Sequence, residues 1–332
     1  MLEGRRAEVL RVLVEEHIRT GQPVSSRAIL EHSHLEVSAA TVRNDLAVLE
    51  REGYAVQPHT SAGRVPTAAA YRYYVDHLRP AHLRGAAHEK VTSFFGEVQL
   101  ELSKLLKATS DLLAEITDLP SVVVAPAVAR DRLRALHAVQ VTSDQILVIV
   151  VTEGGRVLQQ RGRLRAAVTP LEVEEAQELV AAVAVGEELG RTSISEDVLA
   201  EVSEPVREGV HTIDDCLHLV AAAGTEMFVG GTRRMAAAWE DLSTIQRVLE
   251  ILEREAEVLK LLASAPGTYV QIGGDLAGRD LDMAVVSKSY DASGEAGSVG
   301  VIGPMRMNYK RAISAVEEVS RELEERIASE AD

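Results

Sequence analysis

Hydrophobic positions fall at helical intervals through the first eighty residues, become strand-like runs through the middle, and return to helical spacing at the end. Val9, Leu10, Leu13 and Ile18 share a helical face and predict a first helix over residues 3–19. Gly21-Gln22-Pro23 breaks it, and Ser25 or Ser26 caps a short second helix through Leu30. In a third helix Val42, Leu46 and Leu49 fall at i, i+4 and i+7, with Ser38 as N-cap and Gly53 as the glycine just past the end. Tyr54, Ala55 and Val56 then predict a strand, Ser61-Ala62-Gly63 a turn and Arg64-Val65 a returning strand, with Pro66 expected to stop further pairing. Helix, break, helix, capped helix and hairpin is the order of a winged helix-turn-helix, whose last helix enters a DNA groove by its N-terminal end.

The outward side of that third helix is unusual. It carries Ala40, Thr41, Asn44, Ala47, Val48 and Arg51, with Arg43 on the flank, where a solvated helix would present Lys and Glu. Two alanines keep the ridge low enough for close approach. Arg43 and Asn44 are the types that pair bidentately with guanine and adenine edges. Ala40 and Thr41 are placed against the groove wall or a thymine methyl. Ser38, Arg51 and, on the hairpin, His59, Thr60, Ser61 and Arg64 are candidates for phosphate contacts. A small helical domain with a solvated hairpin is the plainer alternative, but it leaves so uncharged a face unexplained.

Beyond residue 80 the pattern changes. Tyr71, Tyr73, Tyr74 and Val75 predict a helix closing the N-terminal unit; residues 81–88 read as a linker. One long helix is predicted over 89–117, ended by Pro120, and a buried strand over 121–126. Leu133 to Val141, Ile146 to Val151 and Val157 to Leu164 predict a three-stranded meander, followed by helices at 171–185, 194–202 and 211–223. A long amphipathic helix over 239–264 precedes strands at 269–272, 283–289 and 298–302. A last helix over 308–328 has Ile313, Val316, Val319, Leu323 and Ile327 inside. This half is α+β.

Charge complicates a nucleic-acid reading. The 332-residue chain carries a net charge of −16, yet residues 1–80 hold ten Arg and ten acidic side chains and are neutral. A basic DNA-binding unit is the usual expectation. The acidic body would be repelled by phosphate, leaving the N-terminal unit as the only contact, with weak non-specific binding and a modest salt dependence. Acidic Glu3 near the N-terminus excludes a signal peptide, no apolar run is long enough for a membrane helix, and the lone Cys216 excludes a disulfide framework; together these point to the cytoplasm.

Other constellations carry less. Gly297, Gly300 and Gly303 lie within a strand before Pro304, which fits close backbone packing better than a dinucleotide loop. Asp214, Asp215, Cys216 and His218 read as a core thiol with flanking surface groups, and His32 and His34 lack metal-binding partners nearby in sequence. Arg161, Arg163 and Arg165 share one strand face, as a charged edge or an anion site. No metal or cofactor is expected, and no acid–base or nucleophile arrangement points to an enzyme.

Three N-terminal stretches, SAATVRNDLAVLEREGY, PHTSAGRVPT and YRYYVD, together with GSVGVIGPMRMNY from Gly297 to Tyr309, resemble the signatures of the heat-inducible transcription repressor HrcA family. The resemblance spans nearly the whole chain. It implies a multidomain α+β protein with a winged helix-turn-helix domain over 1–80, a GAF-like regulatory domain over 81–127 and 226–332, and an inserted dimerising domain over about 128–225. It also implies repression of chaperone operons by a homodimer on an inverted-repeat operator, with the chaperonin GroEL promoting the DNA-binding form. Gly273-Gly274-Asp275-Leu276 departs from the family, which tends to place a polar residue after the acidic one. A winged-helix repressor whose GAF-like half senses a small molecule remains the alternative.

Overall fold

The computed structural model describes residues 2, 4–59, 62–79, 81–126, 131–192, 194–195, 199, 202–222, 226–239, 241–254, 258, 261–262, 267–276, 282–292 and 295–331. The fold is α+β, with three antiparallel sheets of two, three and five strands. The N-terminal unit comprises α1 (Arg5–Thr20), α2 (Ser26–Glu31), α3 (Ala39–Arg51), the hairpin β1 (Ala55–Val56) and β2 (Val65–Pro66), and α4 (Ala68–Asp76). Its α1 is central: Val9, Leu10, Val12, Leu13 and Val14 are all buried, too many for one face of a surface helix.

Ser25 is the N-cap of α2, its side chain accepting from the Ala28 amide. Pro66 does not stop the hairpin. Ala55 pairs with Pro66, Val56 pairs with Val65, and Thr67 N donates on to Tyr54 O at 3.1 Å. The missing proline donor is tolerated because the ladder needs none at that position.

A short connection leads to α5 (Ala86–Glu97) and α6 (Leu102–Thr117). It is not a loose linker: Leu83 is buried and Ser314 Oγ donates to Ala81 O at 2.9 Å. The single helix expected over 89–117 is broken at Val98, which is extended (φ −70°, ψ 127°). Arg326, far along the chain, donates two hydrogen bonds to the Val98 carbonyl at 2.8 and 3.2 Å, and that long-range acceptor role holds the break.

The five-stranded sheet has the order β7 (Met227–Gly230), β3 (Ser121–Val124), β10 (Glu295–Gly303), β9 (Ala284–Ala292), β8 (Thr268–Ile272). Strand β7 had no counterpart in the sequence reading. The alternation within the strands is simple. Val123, Val286, Val299 and Val301 face the core shared with α6 and with α11 (Tyr309–Ala331), whereas Val122, Val124, Val285 and Ile302 face a second core. That second core includes Trp239, after the short helix α9 (Met235–Ala238), and Val248, Ile251 and Leu252 of α10 (Leu242–Leu252). The helix expected to begin at 239 starts later, because Trp239 is extended and Asp241 caps α10 through the amides of Ser243 and Thr244.

The chain leaves the sheet after β3 and rejoins it at β7, directly alongside, with Ala125 N donating to Glu226 O at 2.8 Å. Between them lies a unit with its own core. A meander of β4 (Leu133–Thr142), β5 (Gln145–Thr152) and β6 (Val157–Arg163) packs one face on α7 (Pro170–Ala184) and α8 (Glu204–Ala222). Thr169-Pro170-Leu171-Glu172 starts α7 with a full capping box and a proline in the first turn. Most of the helix expected over 194–202 lies outside the described residues, and α8 begins seven residues earlier than its sequence pattern indicated. Cys216 is buried, and desolvation pushes its thiol up to about 11, as a core sulfur.

The glycines of β10 are required by close approach. A Cβ on Gly297 would enter the ring of the buried Tyr290, and one on Gly300 would meet Leu262 Cδ2 at 2.5 Å. Gly297→Ala is therefore expected to cost about 1–3 kcal/mol or more in urea unfolding, as overpacked cores do. Gly274→Ala, with nothing within 4 Å of the added carbon, should stay near wild type.

Candidate nucleic-acid interface

Helix α3 is anchored on one side and bare on the other. Val42, Leu46 and Leu49 are buried, while Ala40, Arg43, Asn44, Ala47 and Arg51 are exposed and Thr41 and Val48 are half-buried. Ser38 caps the helix: its Oγ accepts from Thr41 N at 3.2 Å and lies 3.0 Å from Thr41 Oγ1. At the other end Gly53 takes φ +81°, Gly53 N donates to Glu50 O and Tyr54 N to Leu49 O, the paired bonds of a Schellman stop. These bonds aim the chain straight into the hairpin.

One polar residue of α3 was missed from sequence. Asp45 is buried, and its carboxylate receives Arg5 Nε at 2.6 Å and Arg5 Nη2 at 3.1 Å, with Arg6 at 3.7 Å. The two-pronged contact fixes the rotation of α3 on α1. Its sequence signal was an acidic residue one position before a core leucine, opposite two arginines forty residues upstream. Spacing alone could not pair them.

The exposed arginines of α3 rest on their own helix. Arg43 Nε donates to Ala39 O and Arg51 Nε to Ala47 O, both at 3.4 Å. Both residues remain exposed. No hydrogen bond among the described residues engages the Asn44 amide. The ridge therefore offers two guanidinium ends and one amide on a floor of alanine methyls.

On the hairpin, His59 is exposed, and its carbonyl closes the turn by accepting from Ala62 N at 2.9 Å. Thr60 and Ser61 lie outside the described residues. Arg64 has a different placement from the one its sequence position implied. Its Nη2 pairs with Glu50 at 2.8 Å, only 18% of its side chain is exposed, and its Nε is buried without a partner. Its backbone exchanges both hydrogen bonds with Val24, at 2.8 and 2.9 Å. Gly63 makes this possible, because a Cβ there would collide with the Val24 carbonyl. The hairpin is thus fastened to the α1–α2 connection by backbone and to α3 by the Arg64–Glu50 pair.

The N-terminal unit is fastened to the rest of the chain as well. Tyr71, whose hydroxyl lies 2.6 Å from His17 Nδ1 within the unit, packs its ring 6.0 Å from that of Tyr309; Lys310 pairs with Glu15 at 2.9 Å, and Arg72 binds Val270 O and Asp275. Two clefts flank this joint. One of about 620 Å³ is lined by Arg11, Tyr73, Tyr74, His77 and Lys310, and another of about 420 Å³ by Arg72, Tyr269, Ile313 and Glu317. No helix among the described residues is long and apolar enough to cross a membrane.

Comparison with known proteins bears on the whole chain. The family described as "HrcA protein C terminal domain" matches residues 103–313. The heat-inducible transcription repressor HrcA of Acidothermus cellulolyticus is 36% identical over 97% of both chains, and that of Nocardia farcinica is 36% identical over 98% of this chain and 97% of its own. A crystal structure of a hypothetical protein superimposes with a TM-score of 0.69 at 24% identity, covering 99% of each chain, and supports the fold. With matches of this length and identity, the chain belongs to the HrcA family of heat-inducible transcription repressors, which are regulators and not enzymes.

Proposed function

We propose that this protein is a dimeric, sequence-specific DNA-binding repressor of heat-shock chaperone operons, acting in the cytoplasm on an inverted-repeat operator. The observation that carries the reading is the exposed, low, nearly chargeless ridge of α3. Residues 1–80 form the winged helix-turn-helix unit, 81–127 with 226–332 a GAF-like regulatory domain, and about 128–225 an inserted dimerising domain. Arg43 and Asn44 read bases, and Ala40 and Thr41 meet the groove wall. Ser38, Arg51, His59, Thr60 and Ser61 hold phosphates. Arg64 enters as a strut that sets the hairpin against α3, since its charge is already engaged by Glu50.

Dimerisation is supported by the insert. The face of its sheet away from α7 and α8 presents Val139, Val141 and Val157, each about half exposed, around half-buried Leu147, Ile149 and Val151. A contiguous apolar face of this kind marks an association surface. Paired through it, two chains would present two α3 ridges to the two halves of a palindrome. The family resemblance supports GroEL as the partner that promotes the DNA-binding form. The clefts at the joint favour a second reading, in which a small molecule sets the position of the N-terminal unit.

Footprinting the full chain on its own upstream DNA tests the reading. Protection of a palindrome, strengthened by GroEL, is the expected result; protection indifferent to GroEL, together with a metabolite that raises the melting temperature, would favour the small-molecule reading. Asn44→Ala is expected to cost about 1–3 kcal/mol on operator DNA and to relax specificity at one position. Equal loss on random DNA would remove Asn44 from base reading. Arg51→Ala should lower the salt slope of binding by about one unit. Arg64→Ala should instead weaken binding with little change of slope, by letting the hairpin drift.

A further inference from the structure

The larger cleft at the joint, of about 620 Å³, is walled on the side of the N-terminal unit by two stacked rings, Tyr73 of α4 and His77 just after it, 4.0 Å apart at 24°. Both rings are pinned. Tyr73 Oη donates to Leu2 O at 2.9 Å, and His77 donates through Nδ1 to Tyr73 O at 2.8 Å, because a carbonyl can only accept. His77 is exposed, and among the described residues no ring other than Tyr73 stacks on it. A flat aromatic platform is thus in place before any ligand arrives. Charge within the cleft is matched except at one residue. Arg11 takes Glu8 through Nε and Nη2 and Glu15 through Nη1, and Lys310, in the first turn of α11, pairs with the same Glu15 at 2.9 Å. Two cations there face two carboxylates. Arg79, which follows α4, is exposed, and no hydrogen bond or ion pair among the described residues engages it. In the smaller cleft Asp76 lies 4.0 Å from Arg72 and Glu317 accepts from Thr268 Oγ1 at 2.8 Å, so neither carboxylate is matched to Arg79. Arg79 and Lys310 line both clefts and form the wall between them, one from the N-terminal unit and one from the body.

We propose that the larger cleft binds a planar aromatic carboxylate, its ring on the His77–Tyr73 platform and its acid group held between Arg79 and Lys310. The proposal rests on the small-molecule reading of the joint and gives that reading a ligand class. Size agrees, since an acid of about a dozen heavy atoms fits well inside a cleft of 620 Å³. Charge selects the class. One unmatched cation suits a monoanion, whereas a phosphate monoester, with nearly two negative charges at pH 8, would leave one of them unanswered. The consequence for the joint follows from Lys310. A bound carboxylate shares Lys310 with Glu15, which keeps Arg11, and joins the end of α4 to α11 through a contact that the empty cleft does not make.

Isothermal titration calorimetry of the full chain at pH 8, with indole-3-acetate as the probe, tests the site. Saturable binding of one molecule per chain is expected, with a Kd on the order of 0.1 mM for a ligand of this size. Indole-3-ethanol, which has the same ring and no charge, should bind about tenfold more weakly. Arg79→Gln should weaken the acid by about tenfold and leave the alcohol unchanged. His77→Ala should weaken both by about threefold to tenfold. Arg163→Gln, in the insert, should bind as wild type. Far-UV circular dichroism and melting temperature establish that each variant is folded. Arg79 has no partner to lose; should its variant still fail to fold, Lys310→Met and His77→Ala decide the matter by the same comparison of acid and alcohol. Heat that does not saturate, equal affinity for acid and alcohol, or wild-type binding by folded Arg79→Gln overturns the site. Adenosine 5′-monophosphate binding more tightly than indole-3-acetate overturns the assignment of a monoanion. Operator footprinting with and without the acid separates the two layers: Arg79-dependent binding that leaves the footprint unchanged upholds the site and removes small-molecule control of the N-terminal unit, and a footprint that changes in wild type but not in Arg79→Gln supports both.

Discussion

One hydrophobic core runs without interruption from the outermost helix of the N-terminal unit to the central sheet, and the placement of every candidate contact depends on it. Leu49 and Val42 of α3 pack with the α1 residues Val9, Leu10 and Leu13; the same cluster continues through Tyr71 and Tyr74 of α4 to Tyr309 and Val316 of α11 and to Val286 and Val299 of the sheet. A helix meant to enter a groove must keep its angle while its outer face is stripped of solvent. Small N-terminal units with little core of their own are poorly suited to that. Here α1 is buried on more than one side, so the angle of α3 is set by a body much larger than the unit. A change in the body's packing against Tyr71 and Tyr309 is therefore felt at α3.

Polar contacts sharpen what the core makes stable. The Arg5–Asp45 contact fixes rotation of α3 about its own axis, and the Arg64–Glu50 pair fixes the hairpin beside it. Both remove charge from the surface near the ridge as well as holding geometry. That matters in a chain of net charge −16 whose first eighty residues are neutral. With Asp45 buried and matched and Glu50 matched by Arg64, the acidic residues of α3 contribute little repulsion. Arg43 and Arg51 are left as the outward charges of the ridge. The neutral total of the N-terminal unit thus hides a local asymmetry that favours an anion on one side.

The local rules were legible in the sequence, and the long-range ones were not. Caps at Ser25 and Ser38, the glycine stop at Gly53 and the i, i+4, i+7 stripe of α3 are each decided within a few residues, and the structure has them. The exposed set on α3 was readable for the same reason. The break at Val98, by contrast, depends on Arg326, and strand β7 exists because β3 offers it an edge across an insertion of about a hundred residues. Trp239 interrupts an amphipathic pattern because its indole has a carbonyl to reach at Asp282. Arg64 read as a phosphate ligand because its hairpin position favours one. Only Glu50, a turn away on a different element, reveals its other role. The buried Asp45 was illegible for the same reason.

The joint brings these levels together. A loose linker would let the N-terminal unit search orientations freely, and pairing two units on one palindrome would then carry an entropic cost that grows with their freedom. Packed connections such as Ser314 to Ala81 and the buried Leu83 remove much of that freedom in advance. The same rigidity makes the unit controllable, because a rigid contact can be broken in one step where a flexible one only shifts by degrees. The polar ties across this joint involve groups that binding, charge or heat can disturb: Lys310 with Glu15 and Arg72 with Asp275. Asp275 and Leu276 share one loop, in which Leu276 is buried while Asp275 reaches outward to α4. An apolar residue there seats the loop in the second core while the acidic neighbour reaches the N-terminal unit, so that a disturbance of that core is passed to α4 through the Arg72–Asp275 pair.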